Sequence, residues 1–183
     1  MRSSRWLRSC AAVAAAAALL FSGCGYSATR LLPASYQKIY VEPFENRIPI
    51  TGETSEKGFI TNYPEIEERV TRSVIDQFLF DGNLRVTNDP ATADLVLTGK
   101  LLDFYRQAIR RQDDDTVEEY RLNLTASLTL RDREGKLLLQ EPNFVADTTY
   151  FLSGSLAKSE TSAVADLATD FSRRVVEWVI EYW

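Results

Sequence analysis

The sequence contains no histidine in its 183 residues. That removes the commonest general base, the usual partner of a serine or cysteine nucleophile, and the commonest zinc ligand. Cysteine is nearly as scarce. There are two, and Cys10 lies in a segment expected to be cut away, leaving Cys24 alone. No Gly-rich phosphate cradle and no Gly-x-Ser-x-Gly elbow is present. No internal repeat occurs, and no low-complexity stretch lies outside the first 23 residues. Positive charge is also short, with 21 Lys+Arg against 26 Asp+Glu. Nucleic-acid binding is dominated by phosphate neutralisation, so an acidic chain is a poor candidate for it.

What is present starts with a leader. Arg2, Arg5 and Arg8 precede Ala11 to Phe21, a run of Ala, Val and Leu too short to span a bilayer. Small residues follow, in Phe21-Ser22-Gly23-Cys24. This order describes a secretory signal peptide over residues 1–23, in the bacterial lipoprotein form, with Cys24 as the lipid attachment site. An ordinary cleaved signal or an uncleaved anchor, with Cys24 incidental, is the bland alternative. Phe21 stands where Leu is usual. An unpaired thiol in an oxidising compartment is a liability that acylation of the palmitate type removes, along with any thiol for catalysis or metal. Each buried acyl CH₂ contributes roughly 0.8 kcal/mol, so several chains hold a protein on a membrane. Gly25, in place of the Asp common in inner-membrane lipoproteins, favours the outer membrane of a Gram-negative cell. Cleavage takes three of the 21 basic residues, leaving 18 against 26 acids, a net charge of −8 over 160 residues. That length suits one domain with a proper core.

The chain then reads as a tether over 24–35 and a single domain over 36–183. Tyr36 to Phe44 form a strand, with Pro43 at its end. Residues 45–63 carry Pro49, Gly52 and Gly58 and read as a long loop. Pro64 and the acids Glu65, Glu67 and Glu68 open a helix that Asp81-Gly82 closes. Its apolar face is Ile66, Val70, Val74 and Phe78, widened by Ile75 and Leu79. A short strand at 84–87 and a turn at Asn88-Asp89-Pro90 follow. Residues 95–111 form a long hairpin arm, with a bulge or change of face at Leu101-Leu102-Asp103. Residues 120–131 alternate cleanly. Leu122, Leu124, Ala126, Leu128 and Leu130 face one way and Asn123, Thr125, Ser127 and Thr129 the other. After the turn at 132–135, Lys136 to Gln140 return, and 144–151 extend that arm beyond Pro142. The last helix carries Val164, Leu167, Ala168, Phe171, Val175, Trp178, Val179 and Tyr182 at spacings of three and four, with Ser159 or Thr161 as cap. One dry sheet face predicts an α+β two-layer sandwich, a mostly antiparallel or mixed sheet with two helices packed on one face.

Four features invite chemistry. Asp113-Asp114-Asp115 with Glu118 and Glu119 lacks the ligand spacing and central Gly of an EF-hand and reads as a solvated hairpin tip. Acids are plentiful, but nothing selects a catalytic pair. Trp178, Tyr182 and Trp183 could dock a partner, though Trp178 and Tyr182 lie on the apolar stripe and suit a core. Arg106, Arg110, Arg111, Arg121, Arg131, Arg133 and Lys136 concentrate positive charge along the central arms. Guanidinium suits bidentate phosphate contact, and cross-strand pairing with Glu118, Glu119 and Glu134 is the plainer account. The expectation is no enzyme, no metal and no cofactor.

Several stretches carry a family resemblance. They are Gly23-Cys24-Gly25-Tyr26, Leu31-Leu32-Pro33, Ile39 to Arg47 (IYVEPFENR), Ala93 to Lys100 (ADLVLTGK) and Glu119-Tyr120-Arg121-Leu122, with Asp132, Gly135 and Leu138 after them. In that order behind the leader, the chain resembles the LptE lipoproteins over nearly its whole mature length. The resemblance implies an outer-membrane lipoprotein that assists lipopolysaccharide transport and assembly as plug and partner of the LptD β-barrel. It also implies contact with lipopolysaccharide itself. Charge and position at the hairpin ends make Arg110, Arg111 and Lys136 the candidates for its phosphates. A pilot or scaffold for another envelope machine, a secretin or a cell-wall synthase, is the alternative.

Overall fold

The computed structural model of the chain describes residues 33, 35–49, 59–60, 63–113 and 115–181. The leader, Cys24, most of the tether, residues 50–58 and 61–62 of the expected loop, Asp114, Tyr182 and Trp183 lie outside the described residues.

Among the described residues, seven strands form one mixed sheet: β1 (Lys38–Val41), β2 (Glu45–Asn46), β3 (Phe59–Ile60), β4 (Arg85–Val86), β5 (Leu95–Arg111), β6 (Val117–Asp132) and β7 (Leu137–Phe151). Helices α1 (Ile66–Asp81) and α2 (Glu160–Glu181) pack on one of its faces. The strand order is β4-β1-β5-β6-β7, with β2 and β3 also pairing to β5. β1 runs parallel to β4 and β5, while β5, β6 and β7 make an antiparallel meander. The expected two-layer α+β sandwich is thus observed. The stretch expected as one long loop needs correction. Its two ends add β2, parallel to β5, and β3, antiparallel to it. Two-residue strands have no period to read, and only the long β5 beside them supplies their partners.

α1 buries Ile66, Val70, Val74 and Phe78, one residue per turn of a single stripe. Leu79, expected to widen that stripe, is 61% exposed instead. Gly82 ends the helix with φ 74°, a left-handed conformation that costs an L-residue with a Cβ, and its N–H bonds the Phe78 carbonyl. At the start of α2, the Ser159 hydroxyl accepts from the Ser162 N–H at 3.2 Å, which settles the choice of cap. Where the helices meet, small residues line the seam. The Ser73 hydroxyl donates to the Ala168 carbonyl and lies 3.0 Å from Ser172 Oγ, and the buried Ser172 hydroxyl donates to the Thr169 carbonyl at 2.9 Å.

Between helices and sheet, Phe171 is fully buried. Its ring meets Phe44 edge-on at 5.9 Å and Phe144 at 5.3 Å, and Phe144 in turn meets Trp178 at 6.5 Å. Such pairs contribute roughly 0.5–1.5 kcal/mol each beyond the area they bury. Trp178 is therefore a half-buried core residue. Phe44 occupies the space over Gly99 that any side chain there would fill. Two irregularities keep the apolar side chains on the inner face. A register shift between Leu101 and Asp103 brings both Leu101 and Phe104 inward. On β7, Ala126 pairs Phe144 but Leu128 pairs Glu141, so an extra residue bulges at Pro142-Asn143. β7 thus extends past Pro142, as the sequence predicts, with its ladder to β6 shifted by the bulge there. An edge strand tolerates a residue with no N–H to donate.

Candidate binding surface

The sheet face away from the helices is polar. Along β5 and β6 it presents the register pairs Thr98–Thr129, Lys100–Ser127, Asp103–Thr125, Tyr105–Asn123 and Gln107–Arg121. Asn123 is only 8% exposed, and its Nδ2 has no hydrogen-bond partner. A buried donor of this kind is a position where a partner's oxygen would be favoured.

The positive charge predicted along the arms is largely matched by acids, as the plainer account holds. Arg110 Nε lies 3.5 Å from the carboxylate of Glu119, itself 8% exposed, and the guanidinium stands 5.7 Å from the Phe151 ring centre. Arg111 donates to the Asp115 carbonyl at 3.0 Å. Arg121 faces Asp147 at 3.7 Å. Arg131 donates to the Gly135 carbonyl at 3.1 Å. Arg106 points to the inner side, 2.5 Å from Glu160 and over the Tyr120 ring at 4.5 Å, and so ties β5 to the first turn of α2. Tyr150 donates to the same Glu160 carboxylate at 3.3 Å. Burial is the largest influence on the Tyr150 hydroxyl and pushes its pKa up.

The three proposed phosphate contacts do not converge. Arg110 and Arg111 stand at the end of β5, opposite Glu119 and Val117. Lys136 stands in the β6–β7 turn, beyond Asp132 at the other end of β6. About thirteen residues of extended strand separate the two ends, on the order of 40 Å. No single phosphate can meet all three. Lys136 is exposed, and its ammonium has no ion pair among the described residues.

The Arg110 end also gathers apolar surface that sequence reasoning passed over. Ile109 and Leu152 are exposed, and Leu156 is 69% exposed. Leu152 N–H bonds the Glu118 carbonyl at 3.0 Å, and Ala157 bridges to Phe151, so the 152–158 connection folds back against this end. Two leucines in a connection otherwise rich in Ser and Gly were the available signal.

At the opposite end, Asp94 fastens the root of β1. Its Oδ2 accepts from the N–H groups of Gln37 at 3.0 Å and Lys38 at 2.9 Å, and its Oδ1 meets Arg133 at 2.8 Å. Burial alone would raise its pKa, but the two amides and the charges of Arg133 and Lys38 together hold it below the ordinary value of 3.8. Glu45, hydrogen-bonded to Arg47, is likewise shifted down. Both displacements run opposite to what a general acid at neutral pH needs.

An open cleft of about 300 Å³ lies over the α1–α2 seam, lined by Glu65, Glu68, Arg69, Arg72, Asp76 and Thr169 among others. It mixes both signs of charge and selects no ligand. No group of metal-ligating side chains occurs among the described residues, and none of their helices is long and apolar enough to cross a membrane.

Comparison with known proteins bears on the whole sandwich. The family model described as LptE, lipopolysaccharide-assembly, matches residues 36–177. No curated protein matches the chain. Among solved structures, lipoprotein B from Nitrosomonas europaea superposes with TM-score 0.53 at 11% identity, over 82% of this chain and 85% of its own. Protein XCC0632 from Xanthomonas campestris gives 0.52 at 14%, over 80% and 84%. The hypothetical protein CT253 from Chlamydia trachomatis gives 0.51 at 12%, over 80% and 97%. At these identities the likeness concerns the fold alone.

Proposed function

The chain belongs to the LptE lipopolysaccharide-assembly family, and from that membership we propose that it is an outer-membrane lipoprotein, acylated at Cys24, that fits inside an LptD-type β-barrel and contacts lipopolysaccharide. The observation that carries this reading is the extent of the family match. It spans residues 36–177, from β1 into the last turns of α2. The family is one of non-catalytic assembly proteins, and a binding role suits a chain with no histidine.

The polar sheet face supports the barrel partnership. Barrel lumens of this class are wet and polar, and the Thr, Ser and Asn rows of β5 and β6 match such a wall in character. The Arg110 end supports the lipopolysaccharide contact. Cations beside exposed leucines suit an amphiphile that carries phosphates next to acyl chains. Lys136, far from that end, would meet a phosphate of its own.

The test is isolation of the full, processed protein from membranes in mild detergent. A stable complex with a large outer-membrane barrel is expected. Recovery of the protein alone, or with a secretin or a cell-wall synthase, would overturn the proposed partnership.

A further inference from the structure

Three observations meet at the end of the domain where β1 begins. First, the chain outside the described residues enters here, through Pro33, whose carbonyl accepts the Tyr36 N–H at 3.0 Å. Second, the C-terminus of α1 reaches the same end, because Arg85, which follows it, bonds the Gln37 carbonyl through its N–H at 2.8 Å. Third, the last turn of α1 exposes two large apolar side chains in sequence, Leu79 at 61% and Phe80 at 87%. Phe80 precedes Arg85 by five residues, no more than about 17 Å of chain. Arg85 is exposed, with no ion pair among the described residues.

We propose that this end of the domain sits on the phospholipid surface, with Leu79 and Phe80 entering the boundary between headgroups and acyl chains and Arg85 facing lipid phosphate. The proposal rests on the acylation of Cys24. Eight residues lie between Cys24 and Pro33. A chain of that length reaches at most about 30 Å. An anchored Cys24 thus keeps the root of β1, and the α1 end that shares this end of the domain, within reach of the bilayer. A Phe ring this exposed to water favours transfer into an apolar environment. Apolar side chains entering the headgroup boundary and basic side chains attracted to anionic lipid are the two contributions that hold protein segments at an interface. A tether sets distance only, whereas the α1 end sets orientation. It would direct the Arg110 end away from the membrane surface.

The experiment uses the full, processed protein with a Phe80→Cys substitution. Acylation of Cys24 leaves the new thiol as the one available to an environment-sensitive fluorophore, and the exposure of Phe80 spares the core. An Asp113→Cys variant, labelled at the β5–β6 tip, reports the opposite end. Both are reconstituted into phosphatidylethanolamine–phosphatidylglycerol vesicles with brominated acyl chains. A blue shift and quenching are expected at position 80 and neither at position 113. Equal emission at the two positions would overturn the proposal. So would self-quenching at position 80 that grows with protein density, which would make a second copy of the chain the occupant. Mass spectrometry of the same sample separates the two levels. A bare Cys24 sinks the anchor and the seating together, while an acylated Cys24 with no quenching at position 80 sinks the seating alone.

Discussion

Single side chains fix two parts of this fold that no local pattern reveals. Asp94 holds the amides of Gln37 and Lys38, 57 and 56 residues earlier in the chain. Replacing it with Asn removes a charge from three hydrogen bonds, and a loss of about 1–3 kcal/mol in urea unfolding at pH 7 is expected. The pH dependence has a definite sign. Because the folded-state pKa is depressed, the carboxylate's contribution is complete above the unfolded value, near 3.8, and fades as pH falls through the lower folded value. The stability gap between wild type and Asp94→Asn should accordingly close as unfolding is repeated at progressively lower pH below 3.8. Gly99 is the second case. A Cβ there would collide with the Phe44 ring, so Gly99→Ala is expected to cost about 1–3 kcal/mol through overpacking. Adding Phe44→Leu should make the pair less harmful than the sum of the single changes, a coupling that a double-mutant cycle measures. Sequence alone marks Gly99 as an unexplained glycine in a strand. Only the partner from residue 44 explains it.

At the scale of elements, legibility followed length and periodicity. β5 reproduces the expected arm at 95–111, and β6 extends the alternating stretch of 120–131 by a few residues at its ends. Both helices fall where spacings of three and four place them. What stayed hidden lacks a period. β2 and β3 are two residues each, and the parallel pairing of β1 with β4 and β5 is a fact of topology. Leu79 misled because spacing locates a stripe but not its edges, and the turn that exposes Phe80 exposes its neighbour too. The Ser159 cap was readable from residue type. Ser159→Ala should lower stability by about 1 kcal/mol and fray the first turn of α2, detectable as faster amide exchange at Ser162 and Ala163. The loss would extend outward, because Glu160 in that turn is what Arg106 and Tyr150 grip.

For the whole molecule, the sandwich followed from one clean strand, but the gathering of the candidate contacts did not. Charge patterning suggested Arg110, Arg111 and Lys136, and the meander sends them to opposite ends, since consecutive hairpin turns alternate. Their contributions should therefore be independent. Reversing Arg110 and Arg111 to Glu is expected to weaken lipopolysaccharide binding with the circular dichroism spectrum unchanged. Lys136→Glu should add its effect without coupling, and each is measurable by binding titration of the detergent-solubilised complex. Unaltered binding in the Arg110/Arg111 variant would remove those two residues from the proposed contact and leave family membership intact. The bulge at Pro142 carries a consequence for life among strands. β7 is the long margin of the sheet, and a protein proposed to lodge inside a cylinder of strands risks being stitched into its wall. The bulge shifts the ladder there, and Pro142 has no N–H to offer, so that margin is interrupted between two shorter runs. A neighbouring strand would find no continuous template to copy, so guest and host can lie side by side yet stay separate folds.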